Sequence, residues 1–526
     1  MATQQRRGRV LRSLSTADFN GDGKPDLAVA NSASNRRVPN GNHRSRVCCC
    51  VLFLIVAALA HGQIASFKHV IVIFQENRTP DNLFQGLCAP PFGDSSSCST
   101  TPTGKQYNIQ TKDWRDKHSP TGVTQPAPIP LVNQYDFRHN HSAFVLQCDK
   151  DAKGRCRMDG AGDVACFPVS ACNDTPHPQF RYVDYQDGAM DPYLELATQY
   201  GWANYMFQTN QGASFPAHQF IFGATSAPSL EDDHAGTFAA ENTAGVGTGA
   251  GCIADPGVTV QLIDAYGVED PGNIMYPCFE HSALTDLLNP LGISWRYYTP
   301  GPNGIWTAPN AISHICQASG GQCLGADWLD NVDLKSADVL TDIANCQLRQ
   351  VTWAIPIGNN SDHPRDNTGG GPSWVASIVN ALGNSWSNSN HRCDYWGNNS
   401  NDSTAIFITW DDWGGWYDHV PPRILAFPEG GYQYGFRVPL IVVSAYTPVQ
   451  FVSNNQFDFG SIVRFIEHNF GIQEGALTFA DARTATDLTS FFKLNHVPRS
   501  FTTIRAPKGA EFFLHDKTPA TDPDDD

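Results

Sequence analysis

Four short apolar runs stand out along the chain. His69-Val70-Ile71-Val72-Ile73-Phe74 is continuous and rich in β-branched residues, the pattern of a strand buried on both faces of a parallel sheet. Ala405 to Trp410 (AIFITW) and Val438 to Ser444 (VPLIVVS) are of the same kind, and Val351 to Ile357 (VTWAIPI) is a weaker fourth. Between them the apolar spacing turns helical. Trp374 to Leu382 (WVASIVNAL) has a good 3.6-residue repeat, and Pro192 to Tyr200, Ala283 to Leu291 and Ile462 to Asn469 read as further helices. Strands alternating with helices predict an α/β fold with a large, mainly parallel central sheet flanked by helices. Residues 86–135 and 225–280, rich in Gly, Pro, Ser and Thr, are expected as long loops or insertions stapled by disulfides, and the chain from Thr518 as a frayed end.

The first sixty residues differ from this body. Val47 to Ala60 (VCCCVLFLIVAALA) is a fourteen-residue apolar stretch, too short to span a bilayer comfortably. Arg44 and Arg46 precede it and Ala58-Leu59-Ala60 ends it, the outline of a secretory signal peptide. Ahead of it, Asp18-Phe19-Asn20-Gly21-Asp22-Gly23-Lys24-Pro25-Asp26 sets oxygen ligands at alternate positions among turn-forming glycines, which suits Ca²⁺. The stretch from Ser15 to Ser32 resembles one FG-GAP-type propeller repeat. A propeller needs several blades and no second copy is present, so residues 1–46 read as an extension rather than a domain.

Charge and cysteines narrow the function classes. The chain carries 52 Asp/Glu against 35 Lys/Arg, net −17, and the first sixty residues hold nine Lys/Arg against three Asp, so the acidity belongs to the body. Such a body is a poor match for phosphate neutralisation on nucleic acid. Twelve cysteines follow residue 60, an even number with many close neighbours, which predicts disulfides formed in an oxidising compartment, secreted or periplasmic. The local pairs expected are 88–98, 148–156, 166–172 and 316–323.

Open α/β sheets place their sites beyond the carboxyl ends of the strands. The first run ends in Gln75-Glu76-Asn77-Arg78 and the second in Asp411-Asp412-Trp413-Gly414-Gly415-Trp416-Tyr417-Asp418-His419. The fourth leads into Asn359-Asn360-Ser361-Asp362-His363-Pro364. Glu76, Asn77, Asp411 and Asp412 would make an oxygen-rich cage for a hard divalent cation. Singly, Glu76 is an ordinary helix-start charge and Asn77 an ordinary turn residue; the adjacent Asp411-Asp412 pair after an apolar strand tips the balance toward a site. In Gln211-Gly212-Ala213-Ser214-Phe215-Pro216-Ala217-His218, Gly before and Pro after Ser214 would hold its hydroxyl at a tight turn opening a helix, where backbone N–H groups favour an anion. The Gly-x-Ser-x-Gly elbow is absent, because position 216 is Pro.

HVIVIFQENRTPDNLFQG resembles the opening motif of the bacterial phosphoesterase family, which contains non-haemolytic phospholipases C and acid phosphatases. FITWDDWGGWYDHVPPR is similar to its second signature and YGFRVPLIVVSAY to its third, and the resemblance runs from about Lys68 to Phe470. It implies an alkaline-phosphatase-like sandwich, with residues 61–500 as the catalytic domain and 501–526 as a tail. It also implies a divalent metal (Ca, Mg, Mn or Zn) and a phosphomonoester or phospholipid substrate. Ser214 matches the nucleophile. Glu76, Asn77, Asp411 and Asp412 match metal ligands, with the Ser214 oxygen as a further one. His139, in Asp136-Phe137-Arg138-His139, and His363, in Asp362-His363-Pro364, match catalytic histidines, and Asn77 also matches a phosphate contact. His218, His314 and His419 lie near motif regions and are candidates for substrate binding, each equally readable as a structural histidine. His141 and His281 are read as structural, and Arg437 as holding a loop carboxylate in preference to binding phosphate. Trp413, Trp416 and Tyr417 offer rings that would seat a choline-like cation or pack around the metal loop.

This sequence departs from the phospholipase pattern in two segments. Asp411-Asp412-Trp413 stands where many phospholipases have Asp-Glu and further acids, and Ala-Ser-Phe-Pro-Ala-His replaces Pro-Thr-x-Pro-Asn-Arg. The chain also ends soon after the core motifs. These differences weaken the case for phosphatidylcholine and leave phosphoryl-ester hydrolysis intact. Two other readings compete: a calcium-dependent adhesion protein, on Asp18 to Asp26, and a sulfatase or phosphonate hydrolase, which Ser-Phe-Pro-Ala-His disfavours by lacking a final Arg.

Overall fold

The computed structural model describes residues 13–17, 26–30, 67–243, 248–388, 392–397, 403–423 and 434–519. Two compact units are present, Met1–Gly62 and Gln63–Asp526. In the first, Ser13–Ala17 pairs antiparallel with Asp26–Ala30. The expected Ca²⁺ loop from Asp18 to Pro25 and the signal-like stretch from Val47 to Ala60 lie outside the described residues.

The second unit is built on an eight-stranded sheet. In chain order its strands are β1 (His69–Gln75), β2 (Gly201–Phe207), β3 (Trp295–Tyr298), β4 (Val332–Asp333), β5 (Val351–Ala354), β6 (Thr404–Trp410), β7 (Leu440–Val443) and β8 (Phe451–Asp458). Across the sheet the order is β4-β3-β5-β1-β6-β7-β2-β8. All neighbours run parallel except at β7, which is antiparallel to both β6 and β2. The mainly parallel α/β architecture expected from the apolar runs is thus the one observed. The reversal at β7 has a simple cause: the chain leaving Trp410 returns into β7 with Leu440 opposite Thr409, so it re-enters the sheet at the end it left.

Both faces of the sheet are covered, which explains why β1 and β6 are buried at every position and apolar at five of their seven residues each. The main helices are α1 (Asp191–Gln199), α2 (Ser214–Gly223), α3 (Gly371–Gly383) and α4 (Phe459–Asn469). On β6, Phe407 packs against Phe465 of α4 and Trp410 against Tyr193 of α1; three residues apart in a strand, they point to opposite faces. Asp458 caps α4, its carboxylate accepting from Ser461 N. The helix expected from Ala283 to Leu291 runs as α-helix only from Leu284 to Leu288 and tightens to a 3₁₀ turn over Asn289–Leu291, where Pro290 lacks an N–H.

Two further expectations are refined. The 225–280 segment contains a three-stranded antiparallel sheet of Phe238–Thr243, Thr259–Ile263 and Glu269–Met275, whose polar third strand carries no apolar alternation to reveal it. Residues 501–515 pack on the body rather than trailing from it: Phe501 meets Trp396, Phe513 meets Trp374, and Ile504 is buried. The twelve cysteines of the described residues form six disulfides, the four local pairs expected together with Cys252–Cys278 and Cys346–Cys393. No helix among the described residues is long and apolar enough to cross a membrane.

Candidate active site

The central pair β1 and β6 is in register, with Trp410 opposite Gln75, so the residues that follow both strands emerge side by side. Asp411 N donates to Gln75 O (3.1 Å), and Asn77 N donates to Asp411 Oδ1 (3.0 Å). Asn77 sits in the left-handed region at φ 59°, a conformation that Asn tolerates better than most residues. Gly414 (φ 60°) lies hard against it: a Cβ there would come within 2.5 Å of Asn77 O. Gly414 N in turn donates to Asp412 Oδ1 (2.6 Å), so the close approach that glycine permits also aims the second aspartate.

A third element brings the hydroxyl. Ser214 is the first residue of α2, preceded by an extended Ala213, and Pro216 falls in the first turn where its missing N–H costs nothing. Gly212 is pressed against the small sheet, where a Cβ would clash with Ala240 O, and its own carbonyl accepts from Gln208 and Asn210. Ser214 Oγ lies 3.2 Å from Asp412 Oδ2 and 3.4 Å from Asn77 Oδ1. His218, one turn along the same face of α2, places Nε2 3.3 Å from Glu76 Oε1 and 3.9 Å from Asp411 Oδ2.

His139 and His363 close the site from the loops. Asn77 Nδ2 donates to His139 Nε2 (3.1 Å), while His139 Nδ1–H donates to Phe137 O (2.8 Å), which fixes the tautomer. His139 Nε2 is 4.0 Å from Asp412, and the rings of His139 and His363 are 6.0 Å apart. His363 Nδ1–H donates to Pro364 O (2.8 Å). Its loop is tied to the Glu76 loop by Arg78, whose Nε donates to Asp362 O (2.9 Å). The Asp362 carboxylate accepts from Tyr193 and Trp410, yet burial still pushes it up to about 6.

Every member of this cluster is at most 1% exposed, and the charges respond. Burial, reinforced by the Asp411 carboxylate, pushes Glu76 and Asp412 well above the usual carboxylate range. Burial works on Asp411 in the same direction, but hydrogen bonding with Glu76, with Ser214 and with the Asn77 N–H holds it below its ordinary value. Burial drives His218 down to about 4, so its ring is neutral. Glu76 Oε2 and Asp411 Oδ2 are buried and have no hydrogen-bond donor. Three buried carboxylates around two undonated oxygens fit a divalent cation: a positive ion is what this donor set lacks.

Not every candidate gathers here. His314 is half-exposed and paired with Glu280 (2.8 Å) and Asp286 (3.2 Å), which raise it to about 9; its proximity to a motif was only sequential. His419 bonds Asp81 (2.6 Å) and Asn108 (3.0 Å). Asp81 and Asp418 also hold Arg437, which is fully buried and donates from Nε and Nη2 to Asp418, from Nη2 to Asp81, and from Nη1 to Asn108 O and Asn204 O, in the carboxylate-holding role expected of it. The rings suggested for a choline cage are all buried. Trp413 and Trp416 pack with Phe137, Phe144 and Phe436, and Tyr417 stacks on Trp114 at 4.7 Å. Conversely, two residues with no sequence signal join the site. Trp306, in a Gly/Pro-rich loop, stands between His218 (6.4 Å) and His363 (6.2 Å), its buried indole N–H without an acceptor. Tyr297, on β3, meets His218 Nδ1 at 3.4 Å.

Comparison with known proteins gives the chain's relatives and its family. The chain is similar to the non-hemolytic phospholipase C of Pseudomonas aeruginosa, 23% identical over 83% of this chain and 60% of that protein. It is 31% identical to the non-hemolytic phospholipase C of Burkholderia pseudomallei over 41% of this chain and 36% of that one. It thus spans about three-fifths of the length of the first. A solved protein in the alkaline phosphatase superfamily from Vibrio parahaemolyticus matches with a TM-score of 0.28 at 9% identity, over 53% of this chain and 60% of that one. An FG-GAP repeat model matches residues 10–47. The Phosphoesterase family model matches residues 67–473, a span that holds every residue of the cluster, and the chain belongs to that family.

Proposed function

We propose that the protein is a secreted, metal-dependent phosphoesterase that hydrolyses phosphoric esters through a phosphoserine at Ser214. The observation that carries this reading is the placement of the Ser214 hydroxyl. It sits at the start of a ten-residue helix, 3.2 Å from Asp412, beside buried carboxylates with undonated oxygens. Glu76, Asn77, Asp411, Asp412 and the Ser214 oxygen would hold a divalent ion, which when bound supplies charge stabilisation and a more acidic hydroxyl. Secretion is supported by the six disulfides.

The chain's own residues account for the remaining work. Asp412 Oδ2 receives the hydrogen bond of Ser214 Oγ and is placed to take its proton as Oγ attacks phosphorus. The N-terminal turn of α2 favours the anionic ester at that position. The rings of His139 and His363 lie 6.0 Å apart, and each, once protonated at Nε2, would bind a phosphoryl oxygen and protonate the leaving alkoxide, with the Trp306 N–H as a further donor. Water then cleaves the Ser214–phosphate bond. The phospholipase names of the relatives point to a phospholipid diester, while the buried Trp413, Trp416 and Tyr417 provide no choline cage, so a monoester competes on equal terms.

The test is p-nitrophenol release from p-nitrophenyl phosphate and from p-nitrophenyl phosphorylcholine by wild type and Ser214→Ala. Loss of at least 10³-fold turnover in the variant, with unfolding unchanged within about 1 kcal/mol, is expected. Full activity in Ser214→Ala would end the nucleophile assignment. The faster of the two substrates decides between phospholipase and phosphatase.

A further inference from the structure

The structure assigns His218 to the metal rather than to the substrate: we infer that its Nε2 is a ligand beside Glu76 and Asp411, and that this nitrogen makes the site prefer a zinc-type ion over Ca²⁺ or Mg²⁺. The inference rests on the metal-dependent reading above and goes beyond the all-oxygen set that the family resemblance implied, in which position 218 had no metal role.

The argument begins with the tautomer. Tyr297 OH donates its proton to Trp306 O at 2.7 Å. Its oxygen therefore serves only as an acceptor toward His218, and the ring must present Nδ1–H to it. A neutral imidazole with its proton on Nδ1 carries a lone pair on Nε2. That lone pair is directed at Glu76 Oε1, 3.3 Å away, and Asp411 Oδ2, 3.9 Å away, both acceptors when ionised. Three electron-rich atoms thus face one another in a region closed to water, and Glu76 Oε2 and Asp411 Oδ2 receive no hydrogen bond. Lone pairs converge in this way either around a proton or around a cation. One atom from each of the three side chains falls within 4.8 Å of the others, a spacing compatible with one ion. Tetrahedral ligands about 2.0–2.1 Å from zinc lie roughly 3.3 Å apart, close to the Nε2–Oε1 separation. Tyr297 then plays the part that outer partners of metal-bound histidines commonly play, fixing the ring and its tautomer from behind.

The nitrogen has a chemical consequence. Ca²⁺ and Mg²⁺ are bound by oxygen, whereas imidazole favours zinc and its neighbours in the first transition row.

The full-length protein, stripped with chelator and dialysed, would be titrated with Zn²⁺ and with Ca²⁺ and its metal content measured. X-ray absorption at the zinc edge would then report imidazole scattering in wild type, His218→Gln and His218→Ala. Support requires 1:1 zinc, an imidazole signature in wild type, its loss in both variants, and a fall of about 100-fold or more in zinc affinity with calcium affinity changed far less. Wild-type zinc protein without imidazole scattering overturns the inference, whether or not the variants fold. So does an unchanged zinc-to-calcium preference in the variants, and in both cases the metal-dependent reading still stands. A wild type that binds no divalent ion removes both together.

Discussion

Replacing Asp411 by Asn should make the metal-free protein more stable while making it a poorer metal binder. Asp411 is fully buried, and one of its oxygens lies within 4.8 Å of a Glu76 oxygen and of His218 nitrogen. Two unit charges at that spacing repel by roughly 3 kcal/mol at an effective dielectric of about 20. Part of this is already relieved in the metal-free wild type, because burial and the Asp411 charge push Glu76 and Asp412 up. A carboxyl whose folded value exceeds its unfolded one keeps a proton that the unfolded chain has released. Stability therefore falls as pH rises from the ordinary carboxylate range through the folded value, by at most about 1.4 kcal/mol per pH unit for each proton. His218, held at about 4, acts in the opposite sense, but only below the ordinary imidazole value. Asp411, held low by its hydrogen bonds, contributes stability at pH 8 that Asn keeps in part through the Asn77 N–H bond, so the carboxylate repulsion dominates there. Asn keeps the shape and an oxygen for Asn77 N–H, so the metal-free variant should gain roughly 2 kcal/mol there. The assay is urea unfolding by tryptophan fluorescence in chelator at pH 8, repeated with saturating metal. At 100 times its dissociation constant the ion should add about 2.7 kcal/mol to the wild type and much less to the variant, reversing their order. A metal-free variant weaker than wild type, or equal gains from metal in both proteins, would refute the electrostatic reasoning.

Other consequences are open to test. Arg437→Met should cost about 3–5 kcal/mol in urea unfolding, because Asp81 and Asp418 would be left buried beside one another without their cation; a loss under 1 kcal/mol would show the pair to be dispensable. Gly414→Ala should lower metal affinity measurably by titration, since its Cβ would displace Asn77 and the left-handed backbone would be strained as well; unaltered affinity would mean that the two loops move independently. Replacing both Cys346 and Cys393 by Ser opens a link across 47 residues and should cost about 2–4 kcal/mol in the same unfolding assay, with turnover at 25 °C unchanged.

Much of the scaffold was written locally. β1, β6 and β7 are strands because runs such as VIVIF and AIFIT have no polar face to expose, and that also places them at the centre of the sheet. The ends of β1 and β6 were legible as a candidate site because carboxylates so soon after buried apolar runs have few other uses. The 6–10-residue disulfide loops followed from short spacing alone. By contrast, β2 (GWANYMF) and β8 (FVSNNQFD) carry mixed residues and take their strand conformation from pairing with each other, Gly201 with Phe451 through Phe207 with Asp458. Cys252–Cys278 and Cys346–Cys393 close loops too long for spacing to specify.

The histidines mark the same division. In sequence His218, His314 and His419 are equivalent candidates, since each lies near a motif. Proximity along the chain does not determine which charges meet a side chain in space. His314 found Glu280 and Asp286, His419 found Asp81, and His218, one helical turn from Ser214, found Glu76 and Asp411. Trp306 reached the site from a loop with no apolar pattern at all. The sequence alone determined the strand cores, the carboxylates at their ends and the serine at a helix start, because those depend on neighbours a few residues away. Only the tertiary structure decided the antiparallel return of β7, the burial of the Trp413 loop and the partners of each histidine, because those depend on contacts between segments far apart in the chain.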